Sequence, residues 1–211
     1  MDVSESIGSV SAEIISEERM KFLYVFAHGA GAGMNHPFMV NLSKALAARG
    51  IGTLRYNFPY MEKGSKRPDP PAIAEKTARA AITKASTLFP NIPLLAGGKS
   101  FGGRMTSQAV SKETFHPVKG IAFIGFPLHP AGKPSIERAL HLKGIKQPML
   151  FLQGTRDALA NLTLIESVCE GLPLASLYKF DGADHSFKAG KQDLIPSLAE
   201  AFRTWADYRI L

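Results

Sequence analysis

Cysteine is nearly absent: the 211 residues include one, Cys169, and a single tryptophan. A lone thiol excludes an internal disulfide framework and makes a reducing, cytoplasmic setting the expectation. No stretch is apolar for long enough to span a bilayer. The opening segment, Met1 to Arg19, carries Asp2, Glu5 and Glu13 and lacks the basic start and apolar centre of a secretory leader. The six histidines are scattered, with no H-E-x-x-H pair, so neither a metal nor another cofactor is expected. The formal net charge is +7. Its basic residues stand singly among acids, and no aromatic-rich RNA motif or zinc-finger spacing accompanies them, so no nucleic-acid partner is expected. The length suits one domain, 1–211, built on a single sizeable core.

What is present is a regular alternation of strand-like and helix-like segments. Phe22 to Ala27, Ile51 to Tyr56, Ile92 to Ala96, Gly120 to Gly125, Met149 to Gln153 and Ser176 to Phe180 read as strands, mostly buried. Between them, apolar residues recur at helical spacing: Phe38, Leu42 and Leu46; Ala74, Ala78, Ala81, Ile82, Ala85 and Phe89; Met105 to Val110; Leu162 to Cys169; Leu194, Leu198 and Phe202. Repeated β-then-α units predict an α/β fold with a mostly parallel central sheet and helices on both faces. Ser9 to Ser16 is a candidate antiparallel edge strand. In such sheets functional residues gather at the carboxyl ends of the strands.

Gly98-Lys99-Ser100-Phe101-Gly102 reads G-x-S-x-G between a predicted strand and a predicted helix. That context is a nucleophile elbow, in which the serine sits at a sharp, strained turn and the glycines avoid clashes with the neighbouring strand and helix. A serine hydroxyl needs a general base within hydrogen-bond reach and an acid to orient that base. Asp157, in Gly154-Thr155-Arg156-Asp157, and His185, in Asp184-His185-Ser186, both follow predicted strands, in the order Ser, Asp, His. Asp181 and Asp184 are rival acids, and Asp157 could instead cap the helix that follows it. For a developing oxyanion the candidate donors are the backbone N–H of Phe101 and that of Ala30 or Gly31. The latter two lie in His28-Gly29-Ala30-Gly31-Ala32-Gly33-Met34, where His28 is expected to hold the loop by a ring-to-backbone hydrogen bond.

Nucleotide readings of the same glycines fail. With Gly29 as the first position the sixth is Met34, so G-x-G-x-x-G is not met, and a P-loop would need glycine where Pro93 stands. Met34, Phe126, Leu128 and Lys99 are candidate substrate-pocket residues, and Lys99 and Arg104 could meet a carboxylate. The basic loop Asn57 to Pro71, with Lys63, Lys66 and Arg67, either overhangs the cleft or is a solvated surface loop. Cys169 lies in an ordinary helical stretch and is expected to be inert.

These residues resemble the α/β-hydrolase superfamily over nearly the whole chain from Lys21 onward, and within it the small lidless hydrolases akin to dienelactone hydrolases. Those use cysteine at the elbow where this chain has Ser100. The segments His28 to Met34, His36-Pro37-Phe38-Met39, Phe126-Pro127-Leu128-His129-Pro130 and Gly154 to Asp157 are similar to one subgroup, which holds bacterial predicted hydrolases and a eukaryotic subunit of a chromatin-modifying complex. The resemblance implies a Ser100–His185–Asp157 triad acting on small-molecule esters through an acyl-enzyme, without cofactor. The same triad would serve a thioesterase, peptidase or lactonase, and the fold also occurs as a non-catalytic interaction module. Phe126 to Lys146 is too short for a lid domain, so an open, shallow cleft is expected.

Overall fold

Alternating β-branched, aromatic and aliphatic residues make strands that can be buried on both faces. In the computed structural model, which describes residues 1–112 and 117–211, they form one seven-stranded sheet. Its strands are β3 (Ala12–Ile15), β4 (Phe22–Ala27), β5 (Ile51–Tyr56), β6 (Leu94–Lys99), β7 (Val118–Ile124), β8 (Met149–Gly154) and β9 (Ala175–Phe180), in the order β3-β5-β4-β6-β7-β8-β9. All pairings are parallel except that of β3, which runs antiparallel on β5 at the sheet edge. The expected edge strand therefore forms, over fewer residues than Ser9 to Ser16. A small hairpin of β1 (Asp2–Ser4) and β2 (Gly8–Ser9) precedes it, which the sequence pattern did not signal.

Two helices cover one face and the remainder lie on the other. Phe22, Tyr24 and Phe26 of β4 pack with Leu42 and Leu46 of α1 (Pro37–Ala47) and with Phe202 and Trp205 of α6 (Ile195–Arg209). Leu23, Val25 and Ala27 point the opposite way, toward Ala81 and Ile82 of α3 (Pro71–Leu88) and Met105 of α4 (Phe101–Lys112). The strict alternation along β4 is the period-two rule of a strand buried on both sides. A short α2 (Pro59–Glu62) follows β5, and α5 (Leu162–Glu170) precedes β9.

The strand before the elbow is displaced from its sequence reading. It begins at Leu94 and runs to Lys99, and α4 starts at Phe101 rather than Met105. Three of the elbow's five residues, Gly98, Ser100 and Gly102, are neither strongly apolar nor helix-favouring, so periodicity understates both elements; the sheet ladder and the helix bonds decide their ends. The segment after β7 forms a 3₁₀ stretch, Glu137–Gly144, that packs along α4, where Ser107 Oγ and His141 Nε2 lie 2.8 Å apart. Among the described residues no helix is long and apolar enough to cross a membrane.

Candidate active site

Ser100 stands between β6 and α4 with φ of +50°, one of two non-glycine residues of positive φ among those described. Its backbone N–H donates to Ile124 O at 3.1 Å, fixing the turn against β7. The turn is possible because Gly98 and Gly102 flank it. A Cβ on Gly98 would run into Ala27 O, and one on Gly102 into His28 O. The chain thus accepts a strained serine because its neighbours have no side chains to displace.

His185 reaches Ser100 from the loop after β9. Its Nε2 lies 2.7 Å from Ser100 Oγ and its Nδ1 lies 2.7 Å from Asp157 Oδ2. Asp157 sits in the loop after β8, with its side chain fully buried and that of His185 23% exposed. A carboxylate only accepts, so Nδ1 carries the ring proton and Nε2 is left to accept from the serine hydroxyl. Asp157 does not cap the helix that follows, a place taken by Asn161, whose Oδ1 accepts from Leu164 N; its own Oδ1 accepts from Leu159 N at 2.7 Å, turning the chain after β8. The rival acids are engaged elsewhere. Asp184 Oδ1 accepts from Ser186 N and Lys188 N, and Asp181 Oδ1 accepts from Thr155 Oγ1.

The glycine loop is held from beneath. His28 is fully buried; its Nδ1 donates to Gly29 O at 2.8 Å and its Nε2 accepts from Phe58 N at 3.0 Å. Burial lowers the pKa of His28 to about 4, so the ring is neutral, as this pair of bonds requires. Tyr60 Oη also donates to Gly29 O. With that carbonyl drawn inward, the planar trans peptide directs the N–H of Ala30 the opposite way, toward the cleft. Arg55 Nη1 donates to Met34 O and Asn57 Oδ1 accepts from Met34 N, closing the far end of the loop.

The cleft beside Ser100 has a volume of about 420 Å³ and is lined by Gly29 to Ala32, His36, Phe38, Met39, Lys99, Leu159, His185 and Ser186. The expectation that Met34, Phe126 and Leu128 line it is corrected. Phe126 and Leu128 are buried in the core, Phe126 against Phe123 and Phe151, and Met34 is 8% exposed beneath its loop. Large apolar side chains next to strand ends satisfy the core first. Lys99 does reach the cleft wall, but its ammonium turns to His185 O. Lys63, Lys66 and Arg67 are exposed and do not line the cleft, which fits the solvated-loop reading. A larger open groove of about 850 Å³ between the N-terminal hairpin, β3 and α3 has no serine, histidine or cysteine in its wall and is remote from this chemistry. Among the described residues no three His, Cys, Asp or Glu side chains gather to share a metal ion.

Two supporting residues escaped the sequence reading. Gln153, fully buried at the end of β8, donates from Nε2 to Asp157 Oδ2 at 2.6 Å and accepts at Oε1 from Phe126 N. His129 accepts from Asn161 N at Nε2 and pairs with Pro130 O through Nδ1, which ties the chain beyond Asp157 to the loop after β7. A polar residue closing an otherwise apolar strand, as Gln153 does in Met149-Leu150-Phe151-Leu152-Gln153, was the available signal.

A family model described as an alpha/beta hydrolase domain matches residues 20–204. The chain belongs to the alpha/beta hydrolase family. Solved structures show the same fold. A dienelactone hydrolase from Anabaena variabilis aligns over 100% of this chain and 97% of its own, with a TM-score of 0.80 at 15% identity. A serine hydrolase without a lid from Xanthomonas campestris aligns over 94% of this chain and 90% of its own, with a TM-score of 0.73 at 19% identity. Est1E from Butyrivibrio proteoclasticus, in a structure with ferulic acid bound, covers 95% of each chain with a TM-score of 0.73 at 14% identity. At these identities the alpha/beta hydrolase shares a fold with them, and its chemistry rests on its own residues.

Proposed function

We propose that this alpha/beta hydrolase is a serine carboxylesterase that cleaves small esters through an acyl-enzyme. The observation that carries the reading is the continuous relay from Ser100 Oγ through the His185 ring to the buried Asp157, with both hydrogen bonds at 2.7 Å. His185 Nε2 takes the hydroxyl proton as Ser100 Oγ bonds to the ester carbonyl carbon, and Asp157 stabilises the imidazolium. The oxyanion is met by the N–H of Phe101, first in α4 and without an intrahelical acceptor, and by the N–H of Ala30, with Gly31 beside it. The C–O bond then breaks, the alcohol leaves with the proton from His185, and water repeats the sequence to release the acid. Ester chemistry is further supported by the dienelactone hydrolase and the ferulic-acid-bound structure among the fold neighbours.

The test is labelling by a fluorophosphonate probe, with Ser100→Ala and His185→Ala as controls. Intact protein is expected to label at Ser100 and both variants to fail. Absence of labelling in the intact protein, beside a reactive esterase standard, would replace the enzyme by a non-catalytic scaffold. One acyl group presented on oxygen, sulfur and nitrogen then separates an esterase from a thioesterase or a peptidase.

A further inference from the structure

The serine and its base arrive from distant parts of the sheet. β9 lies three positions from β6, about 14 Å across the strands, and the loop that follows β9 must cross β8 and β7 to bring His185 back to Ser100. The loop's own bonds, from Asp184 to Ser186 N and Lys188 N, set its shape but not its approach to β6. Arg156 N and Thr155 Oγ1 bind the start of the loop to the end of β8 through Ala183 O and Gly182 N; the further reach to β6 falls to Lys99, the last residue of β6 and the neighbour of Ser100. Its Nζ donates to the backbone carbonyl of His185 at 2.5 Å. The ammonium also lies 5.4 Å from the ring centre of Phe187 and 5.9 Å from that of Phe38, which stack on each other. Gly125, with φ of +67°, leaves the space: a Cβ there would come within 3.2 Å of Nζ and 3.6 Å of His185 Cε1.

We propose that Lys99 is the positioning residue of the base: its ammonium ties the main chain of His185 to the strand that carries Ser100 and holds the imidazole in register with both of its partners. This rests on the serine-hydrolase reading above. A lysine whose ammonium is occupied in this way is not a receptor for a substrate carboxylate, although its stem borders the cleft. The groups facing it are Asp157 from the loop after β8 and Asp184 and His185 from the loop after β9; α1 contributes the uncharged Phe38. Burial lowers the pKa of Lys99 to about 8, against the pull of Asp157 and Asp184 in the other direction. The clamp therefore loses its charge, and with it the charge-assisted part of the bond, as pH rises through that value.

The experiment follows kcat and KM for a neutral acetyl ester between about pH 6 and 10 in wild type, Lys99→Met and Lys99→Arg. A second readout, the low-field proton resonance of His185 Nδ1–H, needs no turnover. Lys99→Met is expected to lower kcat about tenfold to a hundredfold with KM unchanged, because misplacement of the base acts on chemistry and not on binding. Lys99→Arg is expected to restore most of kcat. Wild type should lose kcat above about pH 8, and Lys99→Arg should not, since guanidinium stays charged. The resonance should broaden in Lys99→Met at every pH, and in wild type only on the alkaline side.

Wild-type kcat in Lys99→Met, a rise in KM with kcat intact, or an alkaline loss that persists in Lys99→Arg would each overturn the proposal. If Lys99→Met does not fold, the pH profile and resonance of Lys99→Arg against wild type decide. If wild type neither turns over esters nor labels at Ser100, the hydrolase reading fails, and the resonance still tests Lys99.

Discussion

Two histidines show how a side chain's surroundings select its chemistry. His185 is partly exposed, with a carboxylate on one nitrogen and a hydroxyl on the other, so its ring bridges the two. His28 is sealed between a carbonyl and an N–H and is held neutral, a structural pin for the glycine loop. Asp157→Asn keeps the shape of the acid but permits the wrong imidazole tautomer. Steady-state kinetics should show kcat reduced by about 10⁴, with KM little changed. His28 gives a pH prediction. Its folded pKa of about 4 lies below the ordinary 6.5, so between these values the unfolded chain binds a proton that the native state does not. Stability is complete above pH 6.5 and falls as pH drops through this window, by about 1.4 kcal/mol per pH unit for one such group. His141, also lowered to about 4 by burial and by Arg104 and Lys112, adds to the slope. Urea midpoints at pH 7 and 5 measure it, and His28→Gln should make the dependence shallower.

At the scale of elements, α4 and β6 are fitted to one another through missing side chains. Gly102 brings the first turn of α4 against the main chain of Ala27 and His28, the point where β4 becomes the glycine loop. Gly102→Ala should therefore destabilise by about 2–4 kcal/mol and reduce activity further than the loss of folded protein explains, because the displaced segment carries the N–H of Ala30. Thermal melts paired with active-site titration separate the two effects. Gly144, whose added Cβ would meet only ordinary contacts, supplies the tolerated control.

Across the whole molecule, the parallel sheet delivers the ends of β4, β6, β8 and β9 to one rim, so the glycine loop, Ser100, Asp157 and His185 meet there although they are spread over more than 150 residues. Among the described residues no segment covers that rim as a lid: the stretch after β7 lies along α4 instead. On the proposed esterase reading, a cleft of about 420 Å³ that nothing among the described residues covers gives a long acyl chain little further surface to bury against. Acetyl and butyryl esters should exceed dodecanoyl esters in kcat/KM by about tenfold or more, measured on one leaving group below its micelle concentration.

The sequence alone determined the alternation of strands and helices, the elbow at Ser100 and the order of its two partners. Hydrophobic period, glycine spacing and position at strand ends are local properties, readable from neighbours in the chain. Tertiary structure decided what depends on distant neighbours. It set Asp157, and not Asp184, beside the His185 ring, put Phe126 and Leu128 into the core and His36, Phe38 and Leu159 into the cleft, and placed Gln153 against Asp157. It also turned Lys99 from the cleft toward the carbonyl of His185. Where a side chain points, and which partner satisfies it, is fixed only when strands far apart in the chain become neighbours in the sheet.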